Sequence, residues 1–161
     1  MPADQLRDAA PGRARPVQGI AGVLEPPLKV ERARDVLGEE RVGAVLQSYL
    51  RRTEADARAL CAERVRIRLC KGAYLEPPSV AFPDKADVDR SYVRLMQRLM
   101  ESGNYPGLAT HDVAIIEAAR RFAEARGITS DRFEFQMLYG VRRDLQERLV
   151  REGQRMRVYV P

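Results

Sequence analysis

The sequence predicts an α/β protein in which the strands of a parallel sheet alternate with helices. Short segments with alternating apolar residues recur along the chain, and longer segments with helical apolar spacing lie between them. From residue 42 onward the predicted order is β-α-β-α-β-α-β-α-β, which is typical of right-handed βαβ units. Two architectures fit this order, a doubly wound sheet and part of a (βα)8 barrel. The glycine-rich phosphate motifs of nucleotide-binding doubly wound sheets do not occur.

Five segments are predicted to form the strands. In the second of them Val65, Ile67 and Leu69 alternate with polar residues, and this period of two indicates a strand with one apolar face. The pair Lys71 and Gly72 ends that strand. The predicted strands cover residues 42–49, 65–70, 107–110, 133–138 and 156–160.

Four helices are predicted between these strands. Thr53 and Asp56 have the spacing of a capping box, which opens the first helix. Asp112 is expected to cap the third helix, and Gly127 to end it. The second and fourth helices are predicted over residues 86–102 and 141–152.

The first 35 residues are predicted to be poorly ordered, and the folded domain to cover residues 36–161. This disordered N-terminal segment holds half of the prolines and shows no apolar periodicity. Residues 31–40 have the pattern of a short helix. The prolines of the segment are Pro2, Pro11, Pro16, Pro26 and Pro27.

Composition excludes several classes of function. The net charge is +5, but the arginines lie beside acidic residues along the helices, so no nucleic-acid interface is expected. Two cysteines, Cys61 and Cys70, form no disulfide framework, which favours a reduced, cytoplasmic setting. The single histidine offers no metal-site spacing. No apolar run is long enough for a membrane span, and the N-terminus lacks the pattern of a secretory signal.

Polar side chains collect at the carboxyl ends of the predicted strands, which meet at one edge of a parallel sheet. The set is rich in hydrogen-bond donors and poor in carboxylates, which favours a ligand with carbonyl oxygens or phosphates, or an acid substrate. Each member also has a purely structural interpretation, such as a helix cap for His111 or a small buried hydrophobe for Cys70. The set includes Gln47, Arg68, Cys70, Lys71, Gly72, Thr110, His111, Gln136 and Tyr159.

Five motifs occur in order across residues 42–161: V-L-Q-S-Y-L-R-R-T, R-L-C-K-G-A-Y-L-E-P, A-T-H-D, F-E-F-Q-M-L-Y-G and R-V-Y-V-P. Together they resemble the motifs of the proline dehydrogenase family, of the bacterial monofunctional kind. The resemblance implies a partial (βα)8 TIM-like barrel, comprising about strands four to eight. It implies a flavoenzyme that oxidises L-proline to Δ1-pyrroline-5-carboxylate, transfers hydride to FAD and passes electrons to a quinone. Peripheral contact with a membrane is compatible with that acceptor.

The resemblance also assigns roles to individual residues. It implies that Arg68 is the catalytic residue near flavin N5 and that Leu138 and Tyr159 wall the proline pocket. Gln47 is expected at the flavin ring edge, and Thr110 and His111 at the pyrophosphate and ring region. The backbone of Cys70, Lys71 and Gly72 is expected to line the cofactor.

Two features of the family's pattern are not found in this sequence. The family's early strands carry a lysine that binds the substrate carboxylate and an aspartate near the flavin, and neither is found in residues 1–41. The helix with Y-x-x-R-R, whose arginines bind the proline carboxylate, does not follow the last strand. We therefore expect a truncated enzyme with impaired activity. The alternative is a non-catalytic fragment or interaction module that completes a barrel with another chain or with copies of itself.

Overall fold

The computed structural model of this chain describes residues 33–35, 37–38 and 42–160. Nearly all of the segment predicted to be poorly ordered, 1–35, lies outside the described residues. The short helix predicted over 31–40 is confirmed at residues 33–35 and 37, which are helical. Among the residues that the structure describes, no helix combines the length and apolar character needed to cross a membrane.

Strands and helices alternate through residues 42–160 in the predicted order. The strands are β1 Gly43–Gln47, β2 Arg66–Cys70, β3 Gly107–Ala109, β4 Glu134–Leu138 and β5 Met156–Tyr159. The helices are α1 Thr53–Ala62, α2 Lys85–Ser102, α3 Val113–Arg126 and α4 Arg143–Arg151.

The five strands form one sheet in which spatial order equals chain order. Every neighbouring pair, from β1·β2 to β4·β5, is parallel. A doubly wound sheet reverses its strand order at a switch point, whereas a barrel wall adds each strand beside the previous one. The structure therefore confirms the partial (βα)8 barrel.

The helices cover one face of this sheet and bury a continuous apolar core there. Leu69, Leu108 and Phe135 from the central strands are fully buried against helix residues such as Met96. Tyr92 of α2 is also fully buried, and its hydroxyl donates to the Leu69 carbonyl at 3.1 Å, which satisfies the one polar group of that ring. The opposite face, here called the inner face, carries the polar residues of the strands.

The local chemistry differs from the predictions at two helix starts. The capping box at Thr53 and Asp56 was a wrong prediction, because Arg52 occupies the N-cap position and the Thr53 hydroxyl donates instead to the Gln47 carbonyl at 2.6 Å. That bond ties the start of α1 to the end of β1. Helix α4 begins two residues later than predicted, because the turn before it places Gly140 and Arg142 at positive φ.

Gly72 determines how β2 ends. Its φ of +106° lies where L-residues are rarely found, and a Cβ built on it would lie 2.2 Å from Cδ1 of the buried Tyr49 ring. The backbone of residues 70 and 71 meanwhile accepts hydrogen bonds from the amides of Ser48 and Tyr49. The exit of β2 thus packs directly onto the chain that leaves β1, and only glycine fits there.

We expect Gly72→Ala to lower the free energy of unfolding by about 2–5 kcal/mol, since backbone strain and overpacking against Tyr49 add together. The measurement is urea unfolding followed by circular dichroism. Gly127→Ala is the matched control, because Gly127 also has positive φ (+61°) but nothing lies within 4 Å of its Cβ position. Equal losses in the two variants would show that contact with Tyr49 is unimportant.

Candidate active site at the carboxyl edge of the sheet

An open groove of about 680 Å³ runs along the carboxyl ends of β1 to β4. It lies at the edge where a parallel α/β sheet places its binding residues. Seven of the nine predicted site residues line it, and they come from separate motifs of the sequence. These seven are Gln47, Cys70, Lys71, Gly72, Thr110, His111 and Leu138.

Lys71 ties this edge together through two carboxylates. Its Nζ lies 2.5 Å from Oδ1 of Asp89 on α2 and 2.9 Å from Oδ2 of Asp112 before α3. Asp112 also accepts the Ala114 amide through Oδ1 at 3.0 Å, which confirms the predicted cap of that helix. The positive charge of Lys71 is therefore balanced by its own neighbours.

These ion pairs hold both carboxylates in their charged form. Burial alone would raise the pKa of Asp89, but hydrogen bonds from Lys71 and Lys85 outweigh it, so this pKa lies below its ordinary value. The hydrogen bond from Lys71 is the main cause of the lowered pKa of Asp112. Burial lowers the pKa of Lys71, but its two carboxylate partners outweigh that effect and leave this pKa raised.

His111 is held as a neutral hydrogen-bond acceptor. Its Nε2 accepts the backbone N–H of Leu138 at 3.0 Å, which requires the ring proton to be on Nδ1. Burial lowers the pKa of this imidazole, and the charge of Arg142 lowers it further. The contact joins the ends of β3 and β4 across the groove, a role that differs from the helix cap considered for His111.

Thr110 is buried and Cys70 is partly buried, and both contribute small side chains to the groove. The Thr110 hydroxyl accepts the Asp112 amide at 3.1 Å, so its own proton is free to be donated. The Cys70 thiol lies 3.5 Å from the Leu46 carbonyl, and burial raises its pKa. A thiol with a raised pKa is a poor nucleophile, which agrees with the interpretation of Cys70 as a small apolar residue, although it is only partly buried.

Arg68 and Tyr159 lie beside the groove on the inner face. The Arg68 guanidinium carbon is 5.3 Å from the centroid of the Tyr159 ring, a cation–π contact. Arg68 Nε donates to Oε1 of Gln136 at 2.8 Å. Arg68 does not line the groove itself but lines a second cavity of about 330 Å³ on the inner face, away from the carboxyl ends.

The inner face carries a hydrogen-bond network, of which the strand-end analysis found Arg68 and Gln136 but missed the other members. Glu134, buried on β4, accepts both Nε and Nη2 of Arg157 at 2.6 and 3.0 Å, together with the side chains of Gln136 and Tyr105. Burial would raise the pKa of Glu134, but these donors outweigh it and keep the pKa below its ordinary value. The sequence signal for this network is the alternation of polar residues 134 and 136 with buried neighbours.

We expect the single histidine to titrate with a pKa below its ordinary value of about 6.5. The neutral form is favoured in the folded chain, so His111 stabilises the fold above that pH and this contribution is lost as the pH falls through its folded pKa. One imidazole proton signal followed by NMR from pH 8 to 4 measures it, because no other histidine is present. A pKa at or above that of a free histidine would contradict the assigned hydrogen bond.

We expect Lys71→Met to lower the free energy of unfolding at pH 7 by about 1 kcal/mol, the scale of a partly exposed ion pair. Because Asp89 and Asp112 have lowered pKa values, their stabilisation is present above about pH 4 and lost as the pH falls further. The variant should therefore show a flatter loss of stability between pH 5 and 2, measured by urea unfolding. Lys85→Met is the control and should flatten the acid profile less, since within the described residues exposed Lys85 pairs with Asp89 alone, whereas Lys71 pairs with both carboxylates. An acid profile identical to that of the parent chain would contradict the role of Lys71.

Comparison with known proteins identifies the relatives of this chain. It is 55% identical over 135 residues to proline dehydrogenase of Deinococcus radiodurans, covering 82% of this chain and 44% of that protein. It is 42% identical over 143 residues to proline dehydrogenase 2 of Bacillus subtilis, covering 86% of this chain and 47% of that protein. The chain thus spans less than half the length of the curated relatives it matches.

Solved structures give the same relationship at the level of the fold. The chain superimposes on proline utilization A (PutA) from Bdellovibrio bacteriovorus, a protein inactivated by N-propargylglycine, with a TM-score of 0.75 and 28% identity over 84% of this chain and 16% of that one. PutA of Bradyrhizobium japonicum, in its D779Y mutant, matches with a TM-score of 0.65 and 26% identity, over 74% of this chain and 14% of that one.

The family model for proline dehydrogenase matches residues 28–161. The match begins inside the segment 1–35, ahead of the predicted domain start at residue 36. It takes in all five strands, the groove at their carboxyl ends and the network on the inner face. On this match and the identities above, the chain belongs to the proline dehydrogenase family.

Proposed function

We propose that this chain forms the cofactor-binding half of a proline dehydrogenase, which oxidises L-proline to Δ1-pyrroline-5-carboxylate with FAD as hydride acceptor. The observation that carries the proposal is the convergence of seven predicted site residues, from separate motifs, on one groove at the strand ends. Coincidence of this kind at the carboxyl edge of a barrel wall is typical of a binding site.

The groove suits a flat aromatic ring system with a polar edge. Much of its wall is apolar and comes from Ala73, Tyr74, Ala109 and Leu138. Its volume of about 680 Å³ lies within the range of small-molecule sites. These features fit a flavin, which when bound would accept a hydride from proline and pass electrons on to a quinone.

Three groups of side chains would hold that cofactor. Gln47 offers an amide at the end of β1, and the backbone of Lys71 and Gly72 offers polar groups at the exit of β2. Thr110 can donate its hydroxyl proton, since its oxygen already accepts an amide. The Nδ1 proton of His111 is likewise free of the bond made by Nε2.

Arg68 is the cation best suited to the chemistry. Negative charge develops on a flavin ring as it is reduced, and a fixed guanidinium stabilises that charge. The charge of Arg68 meets a neutral amide and an aromatic ring, whereas that of Lys71 is balanced by Asp89 and Asp112. We therefore assign the catalytic electrostatic role to Arg68 and a structural role to the Lys71 side chain.

Leu138 and Tyr159 are proposed to wall the proline pocket. Leu138 is 38% and Tyr159 50% exposed, so both present apolar surface beside the groove. A proline ring is a small apolar ligand that such surface would cover.

A second candidate function is a binding module that completes a barrel with another chain. It is favoured by apolar residues on the inner face and at the end of the last strand, which would be covered in a closed barrel. Val45 is 58% exposed and Val160 69% exposed. This candidate predicts self-association or capture of a second chain without flavin binding.

The test is the visible spectrum of the purified chain after incubation with FAD and desalting. We expect a retained flavin band that bleaches slowly when L-proline is added without oxygen, in line with the impaired activity expected from the sequence. Arg68→Met should slow that bleaching by about 100-fold or more, the scale of losing one preorganised electrostatic contact. Arg143→Met is the control, since Arg143 is an exposed residue of α4.

Two results would contradict the proposal. A chain that retains no flavin would not be the cofactor-binding half of the enzyme, and light scattering that shows defined oligomers in the same sample would then support the binding module. A flavin band that does not respond to proline would contradict the assigned substrate.

A further inference from the structure

Arg68 and Gln136 are hydrogen-bonded although their strands are not neighbours. Arg68 is on β2 and Gln136 on β4, and β3 lies between them in the sheet. The Nε to Oε1 distance is nevertheless 2.8 Å. The two side chains therefore meet above the backbone of the intervening strand.

Gly107 of β3 makes this meeting possible. It lies opposite Arg68 on one side and Glu134 on the other. A Cβ at position 107 would lie 2.3 Å from Nε2 and 2.8 Å from Cδ of Gln136. Its φ is not in the positive region, so glycine is needed here for space and not for backbone conformation.

The orientation of the Gln136 amide is fixed from both ends. Arg68 can only donate, so it requires the amide oxygen, and the carboxylate of Glu134 can only accept, so it requires the amide nitrogen. Gln136 Nε2 donates to Glu134 Oε1 at 2.7 Å. Glu134 is itself only 6% exposed and is held by Arg157.

Arg68 keeps free donors in this arrangement. Only its Nε is used by Gln136, and within the described part of the chain its Nη groups donate to no protein atom. The Tyr159 ring also contacts the guanidinium, whose carbon lies 5.3 Å from the ring centroid. The guanidinium is thus fixed in place with donors left for a ligand.

We propose that Gly107, Gln136 and Glu134 are positioning residues that hold the Arg68 guanidinium beside the cofactor groove. Gly107 supplies the space, Gln136 supplies the acceptor for Nε, and Glu134 holds Gln136. The part of this proposal that directs the guanidinium toward a cofactor rests on the function proposed above. The hold on Arg68 itself is a property of this chain alone and can be measured without flavin.

The first measurement is the 1H–15N NMR signal of Arg68 Nε in the full chain without flavin, assigned by its loss in Arg68→Lys. In Gln136→Leu and in Gly107→Ala we expect this signal to shift and its proton to exchange with water about tenfold faster, since the hydrogen bond is lost. Gly107→Ala is the sharper variant, because the atoms it displaces are the far end of a flexible side chain and every polar group remains. Gln97→Leu on α2 is the control and should leave the signal unchanged.

The second measurement is the midpoint potential of bound FAD in the same variants. Displacing the Arg68 cation should make the potential more negative, because the reduced ring loses stabilisation. Circular dichroism should show that Gly107→Ala keeps the fold.

Each outcome decides one part of the proposal. An Arg68 signal that is the same in the parent chain, Gln136→Leu and Gly107→Ala would overturn it. A changed signal with an unchanged flavin potential would overturn the link to the cofactor. If the parent chain binds no FAD, the proposed function fails, whereas the NMR result still decides whether these residues hold Arg68.

Discussion

Consecutive strands β1 to β5 pair in parallel, and this pairing determines where every functional side chain lies. Side chains alternate along a strand, so if one residue faces the helix-covered core, the next residue faces the inner face. Leu69 therefore packs in the core while Arg68 and Cys70 point to the opposite side. Parallel direction then brings the ends of separate strands to one edge, where residues from distant motifs form a single groove.

Two cations near this edge have different environments, which favours a structural role for one and the proposed chemical role for the other. Lys71 is paired with Asp89 and Asp112 and joins β2 to the two following helices. The two carboxylates neutralise its charge, and the ion pairs hold the edge of the sheet in shape. Arg68 is held through a neutral amide and a ring, so its charge remains available to a ligand. A permanently charged guanidinium suits such a position better than an amine whose pKa shifts with burial.

Sequence periodicity predicted the alternating elements because helix and strand place apolar residues at different intervals, and it predicted the groove because strand ends converge. It did not predict the hydrogen bond from Arg68 to Gln136 that holds the guanidinium in place. That contact crosses β3, and Gly107 becomes meaningful only once register places it between Arg68 and Glu134. The capping box at Thr53 failed for a related reason, since its hydroxyl bonds to Gln47 of the preceding strand, a tertiary contact that local spacing does not encode.

The inner face also explains how half of a barrel can keep its site in shape. Buried charged groups are costly unless they are paired. Buried Glu134 is paired with Arg157 and accepts Gln136, whose amide oxygen accepts Arg68 Nε, all within β2, β4 and β5. The network therefore needs no strand from elsewhere to hold its geometry. The exposed apolar residues of this half, such as Val45, are not part of this network. They would stabilise the fold only if further strands covered them. The proposed positioning of Arg68 is thus local to strands β2 to β5, whereas covering the groove and its apolar surroundings is the contribution that the rest of a barrel would make.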